Sequence, residues 1–252
     1  MSKINATANR QRKYELRVAK KHEKTIKRVY IQLAYDIESH FSKSIKNDID
    51  KIVSTKFKNN MQLALFKIAK LNINEFINFF LKKFKRTINF NELQEIKSKL
   101  LDKFLNKYTA KTVKNVTETT TKILNDRISK LVSEGYSQKD IIKEIVRATK
   151  GEIGERRAKI IARVESSKAF QITNYETAIK AGLKYKTWWY IGGGKENRKY
   201  HQAMNGKKIP IKDKFDINGE NGVPPTKMRF PKDPECRVPG QVINCTCQVI
   251  YT

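Results

Sequence analysis

Two structural grammars meet within Ala178–Gly194, AIKAGLKYKTWWYIGGG. The first five residues close a helix. Gly182 stands where a helical run beginning near Glu155 stops, because glycine takes the left-handed conformation of a C-terminal cap without a steric penalty. Lys186–Ile191 (KTWWYI) follows, short and aromatic like a strand, with Trp188 and Trp189 on opposite faces. Gly192–Gly194 reads as a turn. The contrast predicts helices before this point and a small sheet after it.

Upstream, residues 1–134 contain neither proline nor glycine, and all six prolines lie at or after Pro210. Without those breakers the chain favours long helices. Ile26, Val29, Tyr30, Leu33, Ile37 and Phe41 share one helical face, as do Leu93, Ile96, Leu100, Phe104 and Tyr108. Val116, Ile123, Ile128 and Leu131 follow the spacing less tightly. Met61–Phe84 is nearly apolar around its circumference, which predicts a central, well-buried helix. Breaks are expected near Asn47–Asp50, Thr87–Asn91 and Thr109–Lys111, giving about four helices. The aromatic stripes read as core. Gly135 ends a helix, and Ser137 with Asp140 forms a capping box for a helix reaching Thr149; Gly151 and Gly154 punctuate again.

Downstream, residues 223–240 are proline-rich and read as a loop over the sheet, and Gln241–Tyr251 (QVINCTCQVIY) alternates like a strand. The expected fold class is therefore α+β: an elongated bundle of long helices, then a C-terminal α+β module with a short antiparallel sheet. The expected division is a basic helical domain over 1–150 and a second domain over 151–252.

The formal net charge is +28. It is +19 over residues 1–150 and +9 over 151–252. An excess spread in this way suits non-specific attraction to nucleic-acid phosphates better than a single sequence-reading element. Codon bias of an A/T-rich genome, which raises Lys, Asn and Ile together, accounts for part of it. No apolar run approaches the roughly 18 to 20 residues of a membrane span, so no membrane partner is expected. The polar, basic start lacks the apolar core of a secretory signal, and a soluble protein of a cytoplasm is expected.

Four pieces stand in order in the second half: IIARVESSKAF (Ile160–Phe170), KTWWYIGGGKENRKYHQAMNGKKIPIKDKF (Lys186–Phe215), MRFPKDP (Met228–Pro234) and VINCTCQV (Val242–Val249). Over about residues 150–251 they resemble the Mu-F-like minor head protein family of tailed phages. The residues carrying the resemblance are Arg163 and Glu165 of the helical element, Trp188, the central Arg198, His201 and Gly206, then Phe215, and the closing Asn244, Cys245 and Cys247. Val164 replaces a usual Thr, Thr246 replaces a usual Arg, and Lys195–Asn197 replaces an acidic residue before the central Arg. The resemblance implies a non-enzymatic minor capsid component in the head interior near the portal. It implies assembly in the host cytoplasm, with the portal protein, other head proteins and packaged double-stranded DNA as partners.

The motif residues also have local readings. Arg163 and Glu165, two apart, face different sides of a helix. Arg163 can hold the irregular backbone of the proline-rich loop through its forked donors, and Asn244 can hydrogen-bond a turn. All three cysteines lie in the last seventeen residues, and three alternatives stay open for them. His201, Cys236, Cys245 and Cys247 suit zinc by donor type, although C-x-C is tighter than the common spacing. Otherwise the cysteines pack as free thiols, or Cys236 forms a disulfide with Cys245 or Cys247. A nuclease or toxin would need Arg198, His201 and Lys199 as acid–base groups. Against it, His201 has no evident partner base, there is no carboxylate cluster or P-loop, and no catalytic residue is assigned. A cellular non-specific DNA-binding protein is the third class.

Overall fold

The computed structural model describes residues 3–40, 44–84, 87–192 and 198–252. Phe41 and the stretch Gly193–Asn197, singled out above, lie outside the described residues.

The architecture is α+β. The glycine-free first half forms long helical runs. Helix α1 spans Lys3–Ser39; α2 (Ile45–Ile52) passes through a wider π-helical turn, Val53–Phe57, into α3 (Lys58–Phe84). Helix α4 (Phe90–Lys103) likewise continues through Phe104–Thr109 into α5 (Ala110–Ser133). Of the three expected breaks, only that at Thr87–Asn91 is one. There Asn89 accepts from the Glu92 amide at 2.9 Å, and Glu92 accepts from the Asn89 amide at 3.3 Å. Asn47–Asp50 lies inside α2, where Asp48 sits in the first turn at the positive end of the helix dipole. Thr109 is buried, and the helix swells by one residue rather than ending.

Helix α3 buries one face deeply and exposes the other. Met61, Leu65, Ile68, Asn72, Phe76 and Phe80 face inward, whereas Leu63 is 68% exposed and Leu71 51%. Its outward face is kept soluble by Lys67, Lys70 and Asn74. Ser137 accepts from the Asp140 amide and starts α6 (Gln138–Ala148) as expected. After an irregular turn around Gly151, α7 (Gly154–Lys180) runs to a Schellman cap. There Leu183 N–H donates to Ala178 and Gly182 N–H to Ile179, with Gly182 at φ +73°.

The compact units do not follow a cut at 150/151. One unit comprises Met1–Ala19, Ala69–Leu101 and Val164–Thr252; the other comprises Lys20–Ile68 and Asp102–Arg163. Helices longer than one core contribute different segments to each unit. The second unit is a helical core in which Tyr30, Leu33, Phe57, Leu65, Leu124, Ile128, Ile145 and Ile161 are buried together. Within it Tyr30 Oη lies 3.1 Å from Thr120 Oγ1.

The first unit holds the sheet. Strand β1 (Tyr185–Trp189) lies between β2 (Lys208–Pro210) and β5 (Gln248–Tyr251), antiparallel to both. Trp188 pairs with Val249, and Lys186 with Ile209 and Tyr251. Strands β3 (Phe215–Ile217) and β4 (Thr226–Met228) form a separate antiparallel pair. The proline-rich stretch is thus partly strand. Gln241–Tyr251 is a strand only over its last four residues; Gln241 itself ends up in a short helix, α9 (Pro239–Val242), begun by Pro239. Aromatic edges join α7 and α3 to the sheet: Phe76 meets Phe170 at 5.0 Å, and Phe80 meets Tyr251 at 6.1 Å.

Candidate functional site

Most of the motif residues converge behind β1. The alternation of the strand buries Trp188 completely and leaves Trp189 half-buried. The Trp188 ring meets Phe215 edge-on at 5.2 Å and His201 at 5.4 Å. Arg198 precedes the short helix α8 (Lys199–Gln202), which carries His201 inward. Gly206 closes the following turn with φ +81°, its N–H donating to the Trp188 carbonyl at 2.9 Å. A side chain there would be strained by the left-handed backbone.

His201 is 1% exposed and engaged at both ring nitrogens. Gln241 donates its amide to the Asn218 and Pro224 carbonyls at 3.1 and 3.0 Å. Its Oε1 must therefore accept the proton of His201 Nε2, 2.8 Å away. Nδ1 faces Cys245 Sγ at 3.5 Å and Cys247 Sγ at 3.7 Å. The C-x-C spacing makes this possible: residues two apart on extended chain share a side. Thr246 between them turns away to donate to the Gly192 carbonyl at 3.1 Å. Asn244 sets the entry through its backbone, at φ +57°, a conformation asparagine tolerates well. Its side chain is exposed, so the expected hydrogen bond from it gives way to this conformational role.

The three ligand atoms of His201, Cys245 and Cys247 lie within 4.8 Å of one another, so this trio could hold a metal ion. Cys236 does not join them. Its sulfur lies 3.6 Å from both Thr226 Oγ1 and the Val238 carbonyl, and the four-residue zinc set is corrected to three. All three cysteines are free and buried, and the Cys236 disulfide is not formed. The hydrogen bond from Cys247, helped by His201, holds the Cys245 thiol well below its usual range. The same bond to Cys245, with burial, pushes Cys247 well above it.

A second buried network lies in the same unit and was not legible from the motifs. Lys232 Nζ contacts Glu15 Oε1 and Oε2 at 3.0 and 3.2 Å. Glu15 also accepts from Ser167, from Arg12 and, at 2.7 Å, from Gln248. Gln248 in turn accepts from Gln171 at 2.9 Å. Burial pushes the Glu15 carboxyl up, but Lys232, Arg12 and these hydrogen bonds outweigh it and hold it below the usual carboxylate range. Burial lowers Lys232 against the pull of Glu15. Lys186, fully buried on β1, donates to the Asp213 carbonyl at 2.5 Å, and burial lowers it to about 8.

The remaining motif residues are structural in different ways. Arg198 donates to the Ile243 carbonyl at 2.5 Å, bracing the turn before the cysteines. Arg163 is exposed, so the expected grip on the proline-rich loop is corrected. That work falls to Arg229, whose fork and backbone N–H bind Asp233 at 2.7 to 3.0 Å. Glu165, facing the other side of α7 from Arg163, is buried and paired with Lys168 at 2.7 Å.

A small module thus packs Trp188, His201, Cys245 and Cys247 together at the end of a long helix. The pattern described as "Phage Mu protein F like protein" matches residues 122–250, just over half of the chain, and the chain belongs to that family. It is also 29% identical over 158 residues to a protein of Enterococcus faecalis named NAD(+)--arginine ADP-ribosyltransferase EFV. That match covers 62% of this chain and spans only 29% of the relative's length. No solved structure matches the chain.

Proposed function

We propose that this protein is a minor, non-enzymatic component of a tailed-phage or prophage head, built in with the portal during assembly in the host cytoplasm. Its place is the head interior near the portal, in contact with portal protein, other head proteins and packaged double-stranded DNA. Membership of the phage Mu protein F-like family is the observation that carries the head assignment.

A basic stripe supports contact with DNA. Arg10, Lys13, Arg17, Lys21, Lys24 and Arg28 recur at intervals of three and four along α1, and all are exposed. Six cations on phosphates would release counterions on binding. Affinity for any duplex should then fall about a thousandfold between 50 and 200 mM salt. No helix among the described residues is long and apolar enough to cross a membrane.

Burial of His201 speaks against a nuclease, since its ring is closed to a polymer substrate and both nitrogens are occupied. The named activity of the Enterococcus relative belongs to a protein of which this chain spans less than a third. We assign no transferase activity here, and incubation with NAD+ and an arginine substrate should give no turnover. The purified chain should co-sediment with portal rings, and filters should retain duplex DNA at low salt. Failure to co-sediment removes the portal assignment, and failure to retain DNA at low salt removes DNA contact.

A further inference from the structure

We propose that His201, Cys245 and Cys247 form a binding site for one Zn²⁺ ion, with Cys236 excluded. This inference stands independently of the head assignment.

The geometry points to it first. Zinc takes sulfur at about 2.3 Å and nitrogen at about 2.0–2.1 Å. Tetrahedral angles between such bonds put each sulfur about 3.6 Å from the nitrogen. His201 Nδ1 lies 3.5 Å from Cys245 Sγ and 3.7 Å from Cys247 Sγ. An imidazole nitrogen offers either one lone pair or one proton, and here two sulfurs converge on it. A single cation at the centre satisfies all three atoms together.

The surroundings are arranged for it as well. A ligating histidine is usually oriented through its other ring N–H, and Gln241, fixed by two backbone carbonyls, does this for His201. The fully buried Trp188 indole N–H has no hydrogen-bond partner and closes the site beside His201, the two rings lying 5.4 Å apart. On loading, each cysteine gives its S–H proton to solvent and its sulfur to the ion. Three protein ligands leave one position of the tetrahedron for water or another small ligand.

The test uses the full chain, purified under reducing conditions without chelator. Elemental analysis should find one zinc per chain. Replacement by Co²⁺ should give the thiolate charge-transfer band of tetrahedral Co–S bonding. Cys245→Ser and Cys247→Ser should each lower metal content at least tenfold, whereas Cys236→Ser keeps one ion. If the serine variants fail to fold, alkylation of the wild-type chain decides: zinc should slow modification of Cys245 and Cys247 and leave the rate at Cys236 unchanged. Three results would overturn the proposal. They are a chain that takes up neither Zn²⁺ nor Co²⁺ when reduced, a Cys236→Ser variant that loses metal as the others do, or zinc-independent alkylation at Cys245 and Cys247.

Discussion

Replacing Glu15 by Leu should unbalance the most deeply buried charge pair of the sheet-bearing unit. Glu15 is 0% exposed and Lys232 5%, so the substitution leaves a buried ammonium without its carboxylate and with the Arg12 guanidinium close by. Removing one partner of such a pair costs about 3–5 kcal/mol. With a urea dependence of about 2 kcal/mol per molar, the unfolding midpoint should fall by about 2 M. Both tryptophans, Trp188 and Trp189, lie in this unit, so their fluorescence reports its transition. The loss should also depend on pH. Burial already lowers Lys232, and without Glu15 it would fold in the neutral form. The unfolded variant then binds one more proton than the folded one, so its stability rises with pH, by up to about 1.4 kcal/mol per unit, until the unfolded lysine titrates. Adding Lys232→Met should restore most of the stability at neutral pH, since an apolar pair of similar volume is commonly neutral or stabilising. A single variant within about 1 kcal/mol of wild type, or a double variant no better than the single, would refute the charge-pair account.

Other outcomes follow from the same contacts. The folded-state pKa of Glu15 lies below its unfolded value, so the stability it contributes is present above the unfolded pKa. It is lost as pH falls through the folded pKa, and Glu15→Gln should flatten that acid limb in urea titrations. Trp188→Ala should cost about 3–5 kcal/mol by opening a cavity beside Phe215 and His201, read by thermal unfolding. Ser137→Ala should cost about 1 kcal/mol through loss of the α6 cap, seen in far-ultraviolet circular dichroism melts. Each Lys or Arg of the α1 stripe changed to Gln should reduce the slope of log affinity against log salt by about 0.9, equally for unrelated duplexes.

Local chemistry was legible and long-range chemistry was not. The caps at Ser137 and Gly182, the Trp188/Trp189 alternation and the helical faces follow from spacings of two to four residues, and they stand where those spacings put them. A break is expected at Thr109–Lys111, but a π-helical turn over Phe104–Thr109 carries the chain into α5 without ending the helix. Lys186 and Lys232 carry no local sign of burial; β1 and the proline-rich loop bury both, and their tertiary partners make that tolerable. Glu15 and Lys232 are 217 positions apart, beyond the reach of any local pattern. The cysteine cluster was half visible. Donor types named four residues, and the pairing of Cys236 with Thr226 and Val238 removed one. Gln241, which fixes the histidine, lay in a segment expected to be strand; the Pro-Gly preceding it was the available sign of a helical turn.

Mass spectrometry of purified particles from the phage or prophage encoding this chain tests its place in the head most directly. Peptides from both compact units should be present at a few copies per portal and persist after nuclease treatment and washing. Particles that carry portal and major capsid protein in normal amounts but none of this chain would contradict it.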